Sequence, residues 1–335
     1  MCLEKKCLQI GAGAIAFALF LRLCASGLPA AVKAAISGPE AMAAILYLET
    51  GRVIRPVKSE APNQSAQDAV MQETLKEQQG EELPALPVFS ETDAQLVEVK
   101  NVCGYQTDLP ALLQRPLSWN LIQNKPTVLI LHSHGTESYK KTEEYEESGS
   151  FRTLNTDYNV VSVGEELKKV LEAGGVQVIH DTTMHDYPSY SSSYSHARSQ
   201  IADYLKKYPS IQLVLDIHRD AVENSKGQQV SFSTTIDGQK VGQLMMVVGT
   251  DANGLSHPNW PENMALAAKL HAQLEKKYPG ICRPISFRSQ RFNQDLSSGG
   301  MLIEVGAAGN TRQEALRAAK ILGQTILELA RGTAE

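Results

Sequence analysis

The feature that most constrains this chain is a short apolar run, Thr127-Val-Leu-Ile-Leu131, bounded by Pro126 and by the polar segment His132-Ser-His134-Gly135. A run that short, with no polar alternation, suits a strand buried on both faces, and such strands belong to parallel sheets covered by helices. Ile211–Ile217, Met301–Val305 and the shorter Val176–Ile179 have the same character. Helical stripes lie between them. Val160, Val163, Leu167, Val170 and Leu171 form one, ended by Gly174-Gly175; Ser195–Tyr208 is a second; Leu266, Leu270 and Leu274 mark a third within Asn263–Tyr278. A capping box, Thr311-Arg-Gln-Glu314, opens a last helix through Ala330. Gln228–Ile236 and Val241–Val248 read as two further strands joined by a hairpin turn at Asp237-Gly238. The alternation predicts an α/β fold over residues 101–335, with a mostly parallel central sheet and helices on both faces.

The rest of the chain is of a different kind. At 42% apolar and 21% charged, the 335 residues are enough to bury a sizeable core. A net charge of −5 and an aromatic content of 6% leave no basic, base-stacking footprint, so no nucleic-acid partner is expected. The acids are concentrated. Between Pro56 and Lys100, nine of them (Glu60, Asp68, Glu73, Glu77, Glu81, Glu82, Glu91, Asp93 and Glu98) stand against Lys58, Lys76 and Lys100. Such a stretch buries too little apolar surface to offset its ordering entropy, and residues 56–100 read as a solvated linker.

The N-terminus reads as a membrane anchor. Lys5 and Lys6 precede an apolar run from Cys7 to Leu21, and after Arg22 the run resumes from Leu23 to Val32. Taken whole it can span a hydrocarbon core of about 30 Å. Residues 1–32 are therefore expected to be a cytoplasmic tip and a single-pass transmembrane helix, with the folded body outside the cell membrane in accordance with the positive-inside rule. Arg22 either snorkels to the interface or ends a short signal-peptide core cleaved near Ala25–Ala31; the length of the run favours an uncleaved anchor. Residues 33–55 carry Met42, Ile45 and Leu46 at helical spacing and suit a juxtamembrane helix. Gly11-Ala-Gly13 imitates a dinucleotide fingerprint but lies inside the anchor, where no strand precedes it. Five cysteines without CxxC or CxH spacing give no support for a cysteine-based zinc site. Cys103 and Cys282 are the only pair in the body; an extracellular disulfide between them is allowed but not established by the sequence.

In α/β sheets functional groups gather past the carboxyl ends of strands. That rule selects His134-x-x-Glu137, His218-Arg219-Asp220 and Glu304-Val-Gly306. Two neutral imidazoles and a carboxylate suit a catalytic zinc that keeps a fourth position for water, and a further carboxylate can act as general base. The spacing is the HxxE…H arrangement of carboxypeptidase-like zinc hydrolases. Taken one at a time, each of the eight histidines is better read as a satisfied loop residue; the joint placement of His134 and His218 carries the metal reading. His132 suits a role orienting a ligand, and His180, His185, His196, His257 and His271 read as ordinary. Asn293-Gln294-Asp295 either line a cleft or form a turn, Tyr187–Tyr194 reads as a polar loop in preference to a sugar-stacking patch, and Glu143, Glu144, Glu146 and Glu147 as a solvated one. The chain contains no GxSxG elbow, no Walker A loop and no HExxH.

Leu129-Ile-Leu-His-Ser-His-Gly-Thr-Glu-Ser-Tyr139, Val214-Leu-Asp-Ile-His-Arg-Asp-Ala221 and Leu302-Ile-Glu-Val-Gly306 with Asn310-Thr311 resemble the stage II sporulation protein P family. Val247-Val-Gly249, Asn259-Trp260 and Asn293-Gln294-Asp295 match its pattern too, over about Lys100 to Ala330. The resemblance implies an amidase/phosphorylase-like zinc hydrolase fold. It implies a zinc-dependent N-acetylmuramoyl-L-alanine amidase acting on peptidoglycan, with endopeptidase action on cross-links, in septal thinning and engulfment during endospore formation. Its implied partners are the sporulation stage II proteins D and M. His134 and His218 correspond to ligand histidines and Glu304 to the catalytic glutamate. The middle ligand of the wider amidase group is a glutamate opening the next helix; Leu154-Asn-Thr-Asp157 offers none, and Glu137 takes that role. Arg219 either orients a substrate carboxylate by a bidentate contact or forms a salt bridge to Asp220 or another acid. A catalytically silent wall-binding scaffold and a zinc carboxypeptidase trimming stem peptides are the competing readings.

Overall fold

Nine strands and five helices follow from these patterns in a computed structural model that describes residues 89–332, apart from 118, 144 and 146–148. The expected anchor, juxtamembrane helix and most of the linker lie outside the described residues. Among the described residues no helix is long and apolar enough to cross a membrane.

The elements in chain order are β1 (Val99–Asn101), α1 (Leu109–Gln114), β2 (Pro126–Leu131), α2 (Val160–Ala173), β3 (Gln177–His180), α3 (Ser193–Lys207), β4 (Leu213–Asp220), β5 (Ser233–Ile236), β6 (Gln239–Gly242), β7 (Leu244–Val248), α4 (Trp260–Lys277), β8 (Ile285–Phe287), β9 (Gly300–Ala307) and α5 (Arg312–Arg331). Seven strands form one sheet in the order β1-β8-β7-β9-β4-β2-β3, and β5 and β6 form a separate hairpin. Every pairing in the large sheet is parallel except β7 with β9. The sheet is thus two parallel blocks running in opposite directions. The carboxyl ends of β2, β4 and β9 share one edge.

The pleat sorts side chains between two unequal layers. Val128 and Ile130 of β2, Leu213, Leu215 and Ile217 of β4, and Met301, Ile303 and Val305 of β9 face a large core shared with α1, α2, α4 and α5. Leu129, Leu131 and Val214 face the other way, onto Ala197 and Ile201 of α3. Helices therefore cover both faces, but a single helix covers the second one. Further along β4 and β9 that same second face carries Asp216, His218 and Glu304 instead of apolar residues.

Local chemistry sets the helix ends. Asn159 accepts from Val161 N at 3.0 Å to open α2. Both halves of the Thr311/Glu314 capping box form at α5. Leu322, Ile326 and Leu329 of α5 are 0–1% exposed, each burial contributing about 1.5–3 kcal/mol. Asp237 and Gly238 both have positive φ, 50° and 75°, the requirement of the tight turn that closes the β5–β6 hairpin.

Three expectations need correction. The run Val241–Val248 is not one strand: it divides after Gly242, where Gln243 N donates to Phe232 O, so that Val241 pairs in the hairpin and Leu244 starts the buried sheet. The strand expected over Gln228–Ile236 covers only its last four residues. The segment 89–100, expected as linker, is part of the fold: Phe89 and Val97 join the core, and β1 pairs with β8. Cys103 and Cys282 are both free thiols.

Asn310 joins the end of β9 to the hairpin and to α5. Its Oδ1 accepts from Phe232 N at 3.0 Å and Ala307 N at 2.8 Å, and its Nδ2 donates to Phe232 O, Ser233 Oγ and Glu314 Oε2 at 3.1, 2.8 and 2.8 Å. The side chain is fully buried. Asn310→Ala strands these partners, and is expected to destabilise the fold by about 2–4 kcal/mol. Urea unfolding of the two forms measures it, and a loss below 1 kcal/mol would show that the hairpin is held some other way.

Candidate active site

The parallel register of β4 with β9 sets His218 directly opposite Glu304. The period of two along β4 also puts Asp216 on the face of His218. The loop after β2 then crosses the carboxyl ends of these strands. Its first turn is tied down by Asp216, whose carboxylate accepts from Ser133 N at 2.7 Å and Ser133 Oγ at 2.5 Å. Glu137 N donates to His134 O at 3.1 Å, which folds the loop so that His134 and Glu137 face one centre. The His134 and His218 rings meet edge to face, centroids 5.3 Å apart. Glu137 Oε2 lies 3.4 Å from His218 Nδ1. The structure therefore brings together His134, Glu137, His218 and Glu304, residues that come from three separate strand ends.

Arg219 is placed differently from a substrate ligand. It is 4% exposed; its Nε donates to Ser138 O at 2.9 Å and a terminal nitrogen to Phe151 O at 2.8 Å. Its guanidinium also stands 3.6 Å from Glu137 Oε1, and its backbone N donates to Glu137 Oε2 at 3.2 Å. Of the two roles open for Arg219, the observed one is a salt bridge, to Glu137 and not to Asp220, which pairs with Arg283 at 2.7 Å. Arg219 is a positioning residue that clamps the loop carrying Glu137.

His132 points to the opposite face of the sheet. Its Nδ1 donates to Ile217 O at 2.9 Å and its Nε2 lies 2.9 Å from His180 Nε2. Burial, then repulsion from His180, pushes its pKa down to about 3, so the ring is neutral and His180 is the donor of that bond. A Cβ on Gly164 would stand 2.7 Å from the His132 ring; only glycine leaves it room. His132 fixes the carbonyl immediately before His218 and does not enter the site. His185 pairs with Asp181 at 3.1 Å, away from the cluster.

Several site residues escaped the sequence reading. Asp216 was legible, because residues two apart on a strand share a face. Tyr190 and Tyr194, read as a polar loop, pack on His134: Tyr190 stacks on the ring at 4.4 Å and 9°, and Tyr194 meets it edge-on at 5.3 Å and 83°. Arg152 lies over Tyr190 at 4.6 Å and pairs with Asp186 at 2.8 Å, whose carboxylate also accepts from Thr136 Oγ1 at 2.6 Å. No local pattern marks Arg152 or Asp186 as partners of this loop.

Electrostatics divide the cluster into unlike members. Burial opposes charge on Glu137, but Arg219 and His218 outweigh it and hold the carboxyl down at about 2. Burial likewise opposes charge on Asp216, which His218 and Ser133 hold at about 2. For His218, burial is outweighed by Asp216 and Glu137, and the imidazole stays protonated well above its ordinary range. His134 goes the other way, made less basic by burial and by His218. Glu304 is pushed up to about 8 by burial, with Glu137 and Asp220 adding repulsion against the pull of His218 and Arg219.

Among the described residues no group of three or more His, Cys, Asp and Glu side chains holds a metal geometry as placed. The chemistry of the donor set nevertheless fits zinc. His134 Nδ1 and Glu304 Oε2 are buried without a hydrogen-bond partner. Glu137 is ionised, and His134 is neutral; two imidazoles and one carboxylate are the donor types of a zinc hydrolase.

The family model described as stage II sporulation protein P matches residues 35–327. The stage II sporulation protein P of Bacillus subtilis (strain 168) is 29% identical over 219 residues, covering 62% of this chain and 51% of that protein. The chain thus spans about half the length of the curated relative it matches. Among solved structures, an N-acetylmuramoyl-L-alanine amidase from Clostridium difficile 630 is 16% identical with a TM-score of 0.36, over 62% of this chain and 95% of that one. The CwlD amidase from Clostridioides difficile in complex with the GerS lipoprotein is 12% identical with a TM-score of 0.38, over 62% and 95% of the two chains. With the family match running through nearly all of the sequence, this chain belongs to the stage II sporulation protein P family.

Proposed function

We infer that this chain is a peptidoglycan hydrolase of endospore formation that cuts the amide between N-acetylmuramic acid and L-alanine. The observation that carries the reading is the placement of Glu304 across the strand pair from His218, its buried Oε2 without a hydrogen-bond partner, in one cluster with His134 and Glu137. Family membership supplies the sporulation setting. The N-terminal apolar run supports a membrane-anchored enzyme working outside the cell membrane, and the stage II proteins D and M are the proposed partners.

His134, Glu137 and His218 would hold zinc, which when bound supplies a Lewis acid and a water of lowered pKa. The chain's own residues do the remainder. Asp216 orients His218 from its Nε2 side, at 2.8 Å. Arg219 keeps Glu137 ionised and aimed. Glu304 takes a proton from the attacking water and returns it to the departing amine of alanine. The water oxygen joins the lactyl carbonyl carbon, the carbon–nitrogen bond breaks, and a carboxylate and an amine result. A carboxyl pushed up to about 8 sits close to neutral pH, where one group can both accept and give the proton.

Two measurements test this. Full-length protein incubated with purified peptidoglycan is expected to release free stem peptides and peptide-less glycan, identified by mass spectrometry, and to stop when a zinc chelator is added. Glu304→Gln keeps the size and polarity of the side chain but not its basicity, and is expected to lower the rate by at least about 100-fold. Release of terminal amino acids alone would point to a carboxypeptidase, and an unchanged Glu304→Gln to a silent scaffold.

The second measurement is of metal uptake. Metal binding requires a neutral imidazole, yet His218 is protonated in the metal-free fold, so loading expels a proton. Zinc affinity is therefore expected to rise by about tenfold per pH unit through neutrality, and to level off only above the raised pKa of His218. Calorimetry in two buffers of different ionisation enthalpy reads the proton directly; a pH-independent affinity with no proton released would sink the assignment of His218 as a ligand.

A further inference from the structure

The bond assigned to this enzyme joins a sugar to a peptide, so the catalytic cluster needs a sugar-side surface as well as a peptide-side one. We propose that the groove between the start of α3 and the 290–293 segment is the subsite for the amino-sugar strand. The proposal rests on the amidase reading and deepens it.

The groove has a volume of about 360 Å³ and is formed by Tyr194, Leu255, Phe292 and Asn293, with Arg198 and Arg291 at its side. It is continuous with the catalytic cluster through a single ring. Tyr194 meets His134 at 5.3 Å on one side and Phe292 at 5.9 Å on the other. Leu255 is 49% exposed at the mouth, so the groove opens to solvent, as a polymeric ligand requires.

The 292–293 segment beside α3 is held in a costly conformation. Phe292 and Asn293 both have left-handed backbones, φ 49° and 58°. For a bulky aromatic residue this is a genuine outlier, of the kind that persists only where surrounding structure enforces it. Enforcement is visible on three sides. Asn293 Nδ2 donates to Tyr194 O at 2.8 Å. The Gln294 side chain accepts from Gly249 N at 2.8 Å and donates to Val247 O at 2.7 Å. The backbone of residue 290 packs so closely on Gly249 that a Cβ there would stand 2.2 Å from Gln290 O. What this scaffolding presents is the Phe292 ring, packed beside Tyr194 so that the two rings together line the groove.

Charge decides between sugar and peptide. Stem peptides carry free carboxylates and would be held by available cations. The two arginines here are occupied: Arg198 makes a bidentate contact with Asp295 at 2.9 and 2.7 Å, and Arg291 reaches the same carboxylate at 3.4 Å. The groove therefore offers aromatic and aliphatic surface with its two cations drawn onto Asp295, which matches the C–H face of a pyranose ring and its acetamido methyl.

The test uses full-length protein in detergent carrying Glu304→Gln, so that nothing is cleaved. Calorimetry measures binding of peptide-free glycan oligosaccharides and, separately, of free stem peptide. Phe292→Ala and Leu255→Ser are each expected to weaken glycan binding by roughly five- to tenfold and to leave stem-peptide binding within about twofold. Leu255 is a surface residue whose replacement leaves the fold intact, so its effect cannot be blamed on unfolding. Glycan that fails to bind, glycan binding indifferent to both substitutions, or a loss confined to the stem peptide would each overturn the proposal. Cleavage by the unmutated chain is scored independently. Absent stem-peptide release with groove-dependent glycan binding would end the amidase reading and keep the groove; release with groove-independent binding would do the reverse.

Discussion

The parallel pairing of β4 with β9 is the contact on which the rest of this protein depends. On one face it closes the core, through Leu215 and Ile217 against Met301 and Ile303. On the other face the same register sets His218 opposite Glu304 and Asp216 opposite Leu302. Because the side-chain period of a strand is two, a slip of one residue would exchange these faces, burying the ionisable groups in the core and exposing its aliphatic ones. Core packing thereby enforces site geometry.

The loop after β2 depends in turn on that strand pair. It buries Glu137 and Asp216 as carboxylates, which is unfavourable unless each is paired and hydrogen-bonded. Here each is. Arg219 and His218 face Glu137, while His218 and both Ser133 donors face Asp216. A second clamp, Arg152 with Asp186 and Thr136, holds the far side of the loop. One acid is left out of this mutual neutralisation. Glu304 has burial without a dedicated cation, and it alone among the clustered acids is made a weaker acid than usual. The arrangement that stabilises the scaffold thus separates, by environment alone, two ionised carboxylates that orient from one that can exchange a proton near neutrality.

The second face of the sheet has a corresponding economy of cover. One helix, α3, packs on Leu129, Leu131 and Val214, and at its first turn Tyr194 meets His134 of the ionisable cluster. Tyr190 and Tyr194 cover His134 because α3 begins there, and Phe292 meets Tyr194 because the 290–295 segment is tied to β7 through Gln294.

Much of this was legible in the sequence. The apolar run of β2, the stripe and glycine stop of α2 and the capping box of α5 follow from local periodicity and cap chemistry, which a linear sequence records. His134, Glu137, His218 and Glu304 could be selected because each sits just past an apolar run, and Asp216 could have been found by the same two-residue period. What local pattern could not supply was any relation across distance. The division after Gly242, the inclusion of residues 89–100 in the core and the reversal of direction between β9 and β7 depend on which strands become neighbours. The clamping role of Arg219, the partnership of Arg152 with Asp186 and the aromatic border of Tyr190, Tyr194 and Phe292 depend on loops converging from four parts of the chain. The sequence by itself determined the elements and the kinds of groups at their ends, because these follow from the spacing of residues along one backbone. Only the tertiary structure decided which of those groups meet, because burial, charge pairing and the pKa values they set are properties of residues brought together in space.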